Sequence, residues 1–384
     1  MHLEPTDEQA AFQHAAAVFA RSVVAPRAAA IDATDEFPAE IIAEAGRQGF
    51  LGVTITESRG GAGRDYVAYA LALEAIARAS ATVAVIMAVN NSLVAEVIDR
   101  FGSDAQRDRW LRPLATGTML GAFALSERDA GTDAANQQTR AVRDGRWYRL
   151  TGDKVWVANA AAADVAIVFA ASGEAGARRE ISAFLVPLDL PGVTRQAEND
   201  ALGVRGLGCR DVTFRDVHLA VDQRLGGAGE GFAIARWGLE GGRIAIAAQA
   251  LGVGQAALDE ALEHARRRRT FGQPIGSYQA GQWMLADTAT DLEAARVLTW
   301  RAAALKSHGA ATGLDASMAK LLASEAAWEA ANACLTTFGG FGFARDYDVE
   351  RKFRETRLFT VAPVSNNLVL AFLGQNVLGM PRSY

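Results

Sequence analysis

Residues 121–133 read Gly-Ala-Phe-Ala-Leu-Ser-Glu-Arg-Asp-Ala-Gly-Thr-Asp. Small side chains, hydroxyls and two glycines let backbone N–H groups come close to a ligand. The run is a candidate ligand loop, and it equally suits a plain connection. A second small-residue run, Gly252-Val-Gly-Gln-Ala-Ala257, matches the start of a dinucleotide fingerprint. That fingerprint needs a strand-to-helix turn, and no strand precedes it here. Small residues where two helices pack closely account for it. Arg266 to Arg269 are four consecutive arginines. They suit either the negative pole of a helix end or a phosphate contact. With 39 Lys+Arg against 44 Asp+Glu the chain carries a net charge of −5, which leaves no footprint for general nucleic-acid binding. His2, His14, His218, His264 and His308 are scattered, with no metal-ligand spacing. Cys209 and Cys334 form neither a disulfide framework nor a CxxC site, as in a reducing cytoplasm.

The elements that must hold these residues change texture twice along the 384 residues. Residues 1–120 read as helical. Thr6-Asp7-Glu8-Gln9 is a capping box, and Phe12, Ala16, Phe19 and Val23 form one apolar stripe. Pro38 opens a further helix that Gly49 closes, and Gly60 to Gly63 is a loop. The polar N-terminus does not read as a signal peptide. The apolar run Ala81–Val89 stops at Asn90-Asn91, short of the roughly 20 residues of a membrane span. Residues 121–228 carry short strand-like runs: Trp147–Leu150, Lys154–Val157, Val165–Phe169, Ala183–Val186 and Val212–Val217. These predict an antiparallel barrel or sandwich. Residues 229–384 return to long helices, expected over 231–267, 277–307 and 315–338, with a last one after Pro363.

Four motifs carry a family resemblance. Ala124-Leu-Ser-Glu-Arg-Asp-Ala-Gly-Thr-Asp133 resembles the first signature of the acyl-CoA dehydrogenases. Lys154-Val-Trp-Val-Ala-Asn159 is similar to the flavin-wall segment that follows it. Arg268-Arg-Thr-Phe-Gly-Gln-Pro-Ile275 is similar to the turn that reaches a neighbouring subunit's FAD. Phe338-Gly-Gly-Phe-Gly-Phe343, followed by Val349-Glu-Arg and Arg354, resembles the second signature. Val85–Leu93 and Gly242–Leu251 are similar to the short-chain, butyryl-CoA type branch. The resemblance runs the whole chain in order. It implies an α+β class: an N-terminal helical domain, a central β-barrel and a C-terminal four-helix bundle, assembled as a homotetramer.

It also implies the chemistry. A base takes the proton α to a thioester carbonyl while the β-hydride passes to flavin N5, and hydrogen bonds to the thioester oxygen stabilise the enolate. Carried over residue by residue, Phe123, Leu125 and Ser126 touch the flavin and Trp156 walls it. Arg268, Phe271 and Gln279 reach a partner's FAD. Gly339 and Gly340 match the close approach to the adenine half of FAD, and Ser365 and Asn367 match contacts near the adenosine. Thr132 and Arg243 serve an acyl thioester of CoA or a carrier protein. An electron-transfer flavoprotein is implied as an acceptor.

The match breaks at the base. The family's usual glutamate position falls on Pro363, and the alternative position, on the long helix, falls on Gly242. Proline removes both the carboxylate and the backbone N–H of the oxyanion site. Ala158 replaces a Ser or Thr that bonds the flavin, and Thr336 replaces a glutamine on the FAD side. Glu240 is a weak substitute, because two residues turn it about 200° from Gly242 around a helix. Asn90 and Asn91 are amides and not bases. Glu355 and Asp346 require a different loop path. Three readings therefore stand at this level: an acyl-thioester dehydrogenase with an atypical base, a flavin monooxygenase or oxidase, and a catalytically impaired FAD-binding subunit.

Overall fold

The computed structural model describes residues 4–172, 180–310 and 312–382; His2 lies outside them. The first helix, Asp7–Phe19, starts on the expected capping box: Thr6 Oγ1 accepts from Gln9 N–H and Thr6 N–H donates to Gln9 Oε1. Its stripe is buried through Ala16 and Phe19, and the Phe12 and Phe19 rings lie 5.5 and 5.3 Å from Phe50. Ala81–Phe101 corrects the expectation of a break at Asn90. It is one continuous 21-residue helix with a π-turn over Val89–Ala95, and 94% of its apolar window is buried inside the protein. The two asparagines are tolerated there because each is fully satisfied. Asn90 Nδ2 donates to the Leu51 and Leu114 carbonyls and its Oδ1 accepts from Gly121 N–H. Asn91 bonds Phe50, Met87 and Val53 in the same way. Buried polar groups persist when paired like this. A second apolar stretch, Val349–Asn376, is divided by the Ala362–Pro363 turn into two helices.

The central region is one sheet of eight strands: β1 Gly121–Ala124, β2 Arg140–Asp144, β3 Trp147–Val157, β4 Val165–Ala171, β5 Ile181–Pro187, β6 Val193–Glu198, β7 Arg210–Ala220 and β8 Arg224–Leu225. Its order is β6-β7-β3-β2-β4-β5-β8, with β1 pairing β4 in parallel. Residues from β1 to β5 and β7, including Ala122, Ala141, Leu150, Val168, Phe184 and Phe214, share one core, so the sheet rolls around a common interior. The two expected strands at 147–150 and 154–157 are one. Gly152 is not a turn but a bulge: register shifts between Leu150 and Gly152, and a Cβ on Gly152 would lie 2.4 Å from Thr139 Oγ1.

The helix Gly231–Arg267 is the spine of the C-terminal bundle. Gln279–Ser307, Gly313–Phe338 and Val349–Val361 complete four helices, and Asn366–Asn376 is an additional one. The helix Val349–Val361 is charge-rich, and its buried face carries Arg351, Lys352 and Glu355 beside Val349, Thr356 and Phe359. Its ion pairs within the helix, Arg351–Asp348, Arg351–Glu355 and Arg354–Glu350, support it. The small residues at 252–257 pack helices as expected: a Cβ on Gly252 would sit 2.3 Å from the Glu74 carbonyl, and one on Gly254 2.8 Å from Leu292.

Candidate functional site

The end of β1 is sewn to β3. The Leu125 carbonyl accepts from Lys154 Nζ at 3.0 Å, and the Ser126 carbonyl accepts from Val155 N–H at 3.0 Å. This places Phe123, Leu125 and Ser126 next to Trp156 and Ala158. Trp156 is 63% exposed and sits at φ +56°. Its backbone N–H donates to Asp211 Oδ1 at 3.1 Å. A core residue of the sheet would be buried, and a bulky side chain at positive φ is strained. The structure spends that strain on displaying a flat indole face. Asn159, also at positive φ, anchors the segment through Nδ2 to the Ile86 and Gly121 carbonyls.

Sequence reasoning missed what holds this loop. Lys154 and Glu127 form a buried ion pair of 2.9 Å, with Lys154 fully enclosed. Lys154 Nζ also donates to Gln137 Oε1, while the Glu127 carboxylate receives the N–H groups of Gln138 and Thr139. Burial pulls Lys154 down to about 8. Burial would raise Glu127, but the adjacent ammonium and the N–H donors hold it below the usual carboxylate value. No spacing rule signals this pair, because a lysine in a strand normally reads as solvated. Thr132 lies exposed on the same loop.

The two positions where the family resemblance places a base, both empty of one here, face each other. A Cβ on Gly242 would lie 3.7 Å from Pro363 Cγ and 3.1 Å from Leu93 Cδ2. One turn earlier, a Cβ on Gly238 would lie 3.9 Å from the Phe123 ring. Leu93 and Phe123 are part-exposed although both chain neighbours of each are fully buried, so solvent reaches this cleft between the helices and β1. Glu240 points elsewhere, with Oε1 3.3 Å from the Cβ position of Gly313 at the start of the third bundle helix. Glu355 is buried against Arg351, which in turn donates to the Ala79 carbonyl, away from Pro363. Asp346 is exposed. Arg243, next to Gly242, donates from Nη1 to Ser317 Oγ at 3.4 Å.

The remaining expected cofactor residues form separate groups within one chain. Arg268, Gly339 and Gly340 line a cavity of about 420 Å³ with His264, Phe338 and Phe341. Gly339 sits at φ +60°, and a Cβ there would meet nothing within 4 Å, so the backbone is open to close approach. Arg266 to Arg269 are all exposed, Arg268 lying over the Phe341 ring. Phe271 tops the adjoining hairpin at φ +49° and is 98% exposed. Gln279 is exposed at the start of the second bundle helix, and Thr336 Oγ1 donates to its own helix at Asn332. Ser365 and Asn367 line a second cavity, of about 320 Å³, with Trp328 and Arg357. The groups fit a large cofactor, but each supplies only part of a cradle. Among the described residues no cluster of His, Cys, Asp and Glu could hold a metal ion.

Residues 6–118, 122–217 and 229–378 match the N-terminal, middle and C-terminal domains of acyl-CoA dehydrogenases. The chain is 41% identical over 365 residues to the mitochondrial short-chain specific acyl-CoA dehydrogenase of Homo sapiens, covering 95% of this chain and 89% of that protein. It is 39% identical over 379 residues to an acyl-CoA dehydrogenase of Bacillus subtilis, covering 99% and 100%. The solved structure of butyryl-CoA dehydrogenase from Megasphaera elsdenii matches with a TM-score of 0.96 at 36% identity, covering 98% of this chain and 100% of that one. The similarity favours the dehydrogenase reading over a monooxygenase or an inactive subunit. The chain belongs to the acyl-CoA dehydrogenase family.

Proposed function

We propose that this chain is an FAD-dependent oxidoreductase that desaturates a short acyl thioester between its α- and β-carbons. The observation that carries this reading is Trp156, held exposed at positive φ next to the Phe123–Ser126 segment, whose Phe123 ring lies 3.9 Å from the Cβ position of Gly238, one turn before Gly242. When bound, FAD supplies the acceptor for the hydride from the β-carbon. Phe123, Leu125, Ser126, Trp156 and Ala158 would hold its ring, and Ser365 and Asn367 its adenosine. Arg268, Phe271, Gln279, Thr336, Gly339 and Gly340 would serve the FAD of a neighbouring copy. Phe271, 98% exposed, would be covered in such an assembly. The reading therefore includes a homotetramer, placed in the cytoplasm, that passes electrons to an electron-transfer flavoprotein. Thr132 and Arg243 line the path of an acyl-CoA or acyl-carrier thioester. Neither Pro363 nor Gly242 offers a carboxylate, so the residue that accepts the α-proton in relatives has no counterpart at either place.

The expected result is a yellow protein that sediments as a tetramer and whose visible flavin band bleaches when an acyl-CoA is added without oxygen. A colourless protein that fails to take up FAD overturns the function. Bleaching by NAD(P)H with oxygen uptake, and none by acyl-CoA, turns it into a monooxygenase.

A further inference from the structure

Two cations lie beside the Gly242–Pro363 contact with no anion against them. Lys320, on the third bundle helix, is fully buried. Its ammonium donates to the Val364 carbonyl at 2.8 Å and to Asn366 Oδ1 at 2.6 Å, both neutral groups. Arg243 directly follows Gly242. Its guanidinium makes one long bond, to Ser317 Oγ, and its Nε is buried with no hydrogen-bond partner. Ser317 stands three residues before Lys320, so Arg243 reaches the helical face that carries Lys320. Glu240 and Glu325 attract Arg243 and Lys320 respectively, but among the described residues neither forms an ion pair with them. Burial lowers the pKa of both cations, and Lys320 falls to about 8. A buried charge without a counter-ion is expensive, and an unpaired buried donor adds to the cost. Cations retained under that cost indicate an anion that arrives with the ligand.

We propose that the cleft takes an acyl thioester carrying a second carboxylate on its α-carbon, bound by Arg243 and Lys320 beside the Gly242–Pro363 contact. This rests on the reading of the cleft as an acyl-thioester site. The substrate then brings the carboxylate that the chain lacks there. Such a substrate also removes the need for a base. When the bond from the α-carbon to the carboxylate breaks, carbon dioxide leaves and the electron pair stays on the α-carbon, delocalised onto the thioester oxygen. The same pair forms the α,β double bond as the β-hydride departs to FAD. The products are carbon dioxide, the unsaturated thioester and FAD reduced by two electrons, and no proton passes to the protein. The negative charge moves from carboxylate to enolate while remaining beside the same two cations.

Ethylmalonyl-CoA and butyryl-CoA differ only in the α-carboxylate and are the probes. Calorimetric titration of the FAD-loaded protein without oxygen is expected to show ethylmalonyl-CoA binding at least ~10-fold tighter, as charge-assisted contacts to two cations require. Arg243→Gln abolishes the preference, Arg243→Lys keeps most of it, and Lys320→Met reduces it; retained FAD absorbance shows that each variant is folded. Label in the carboxyl group is released as carbon dioxide as crotonyl-CoA forms. Equal affinity for the two thioesters in the unmodified protein, or a preference that survives Arg243→Gln, overturns the proposal and leaves the dehydrogenase reading standing. Binding of neither thioester overturns both.

Discussion

Pro363→Glu raises the rate at which butyryl-CoA reduces the FAD-loaded protein by about 10²–10⁴-fold, the usual contribution of a positioned general base. The substitution restores two groups at once. A carboxylate enters the cleft opposite Gly242, where the Cβ position and Pro363 Cγ are 3.7 Å apart. A backbone N–H also returns at 363, where the family resemblance expects a donor to the thioester oxygen, worth about a further 10²–10³-fold when aligned. Gly242→Glu places a carboxylate near the same point, but its Cβ meets Leu93 Cδ2 at 3.1 Å and it returns no N–H at 363. Its gain is therefore smaller. The new carboxylate also repels an α-carboxylated thioester, so Pro363→Glu moves substrate preference towards butyryl-CoA. Stopped-flow measurement of flavin bleaching checks both effects. A variant that binds FAD and butyryl-CoA yet reduces no faster than the parent shows that proton removal is not what limits this chain.

Local rules carried much of the architecture, because each worked within a few residues. The capping box at Thr6, the helix opened by Pro38 and the strands of β-branched residues all depend on neighbours in sequence. The connection into the sheet at 121–133 was legible for the same reason. What escaped was decided by distant contacts. Asn90 and Asn91 look like a helix stop until the carbonyls of Phe50, Leu51 and Leu114 arrive to satisfy them. Gly152 looks like a turn until Thr139 is seen to cross it. Glu240 was legible as turned away, since the helical angle alone sets its direction. Lys154 and Lys320 were not legible. A lysine's burial is set by which partner lies across the fold, 27 residues away for Glu127 and 46 for Asn366.

Lys154→Met costs about 3–5 kcal/mol of stability, because it leaves the Glu127 carboxylate buried without its counter-ion. Glu127→Gln has a similar cost from the other side, leaving the enclosed ammonium with only the Leu125 carbonyl and Gln137. The double replacement costs less than the two singles combined, since removing both charges strands neither. The pH dependence separates this from a packing defect. Glu127 has a folded pKa depressed below its ordinary 4.5, so its stabilisation is complete above that pH and is lost as the pH falls through the folded value. In Lys154→Met the burial that Lys154 formerly offset raises the Glu127 pKa, and the variant gains stability on protonation. The deficit is therefore largest near neutrality and shrinks in mild acid. Thermal melts of the parent, both singles and the double across that range measure it. Because the same ammonium fixes the Leu125 carbonyl, Lys154→Met also loosens the Leu125–Ser126 segment and weakens FAD retention. A variant that melts with the parent at neutral pH and holds FAD as tightly would mean that the pair neither stabilises the sheet nor positions the loop.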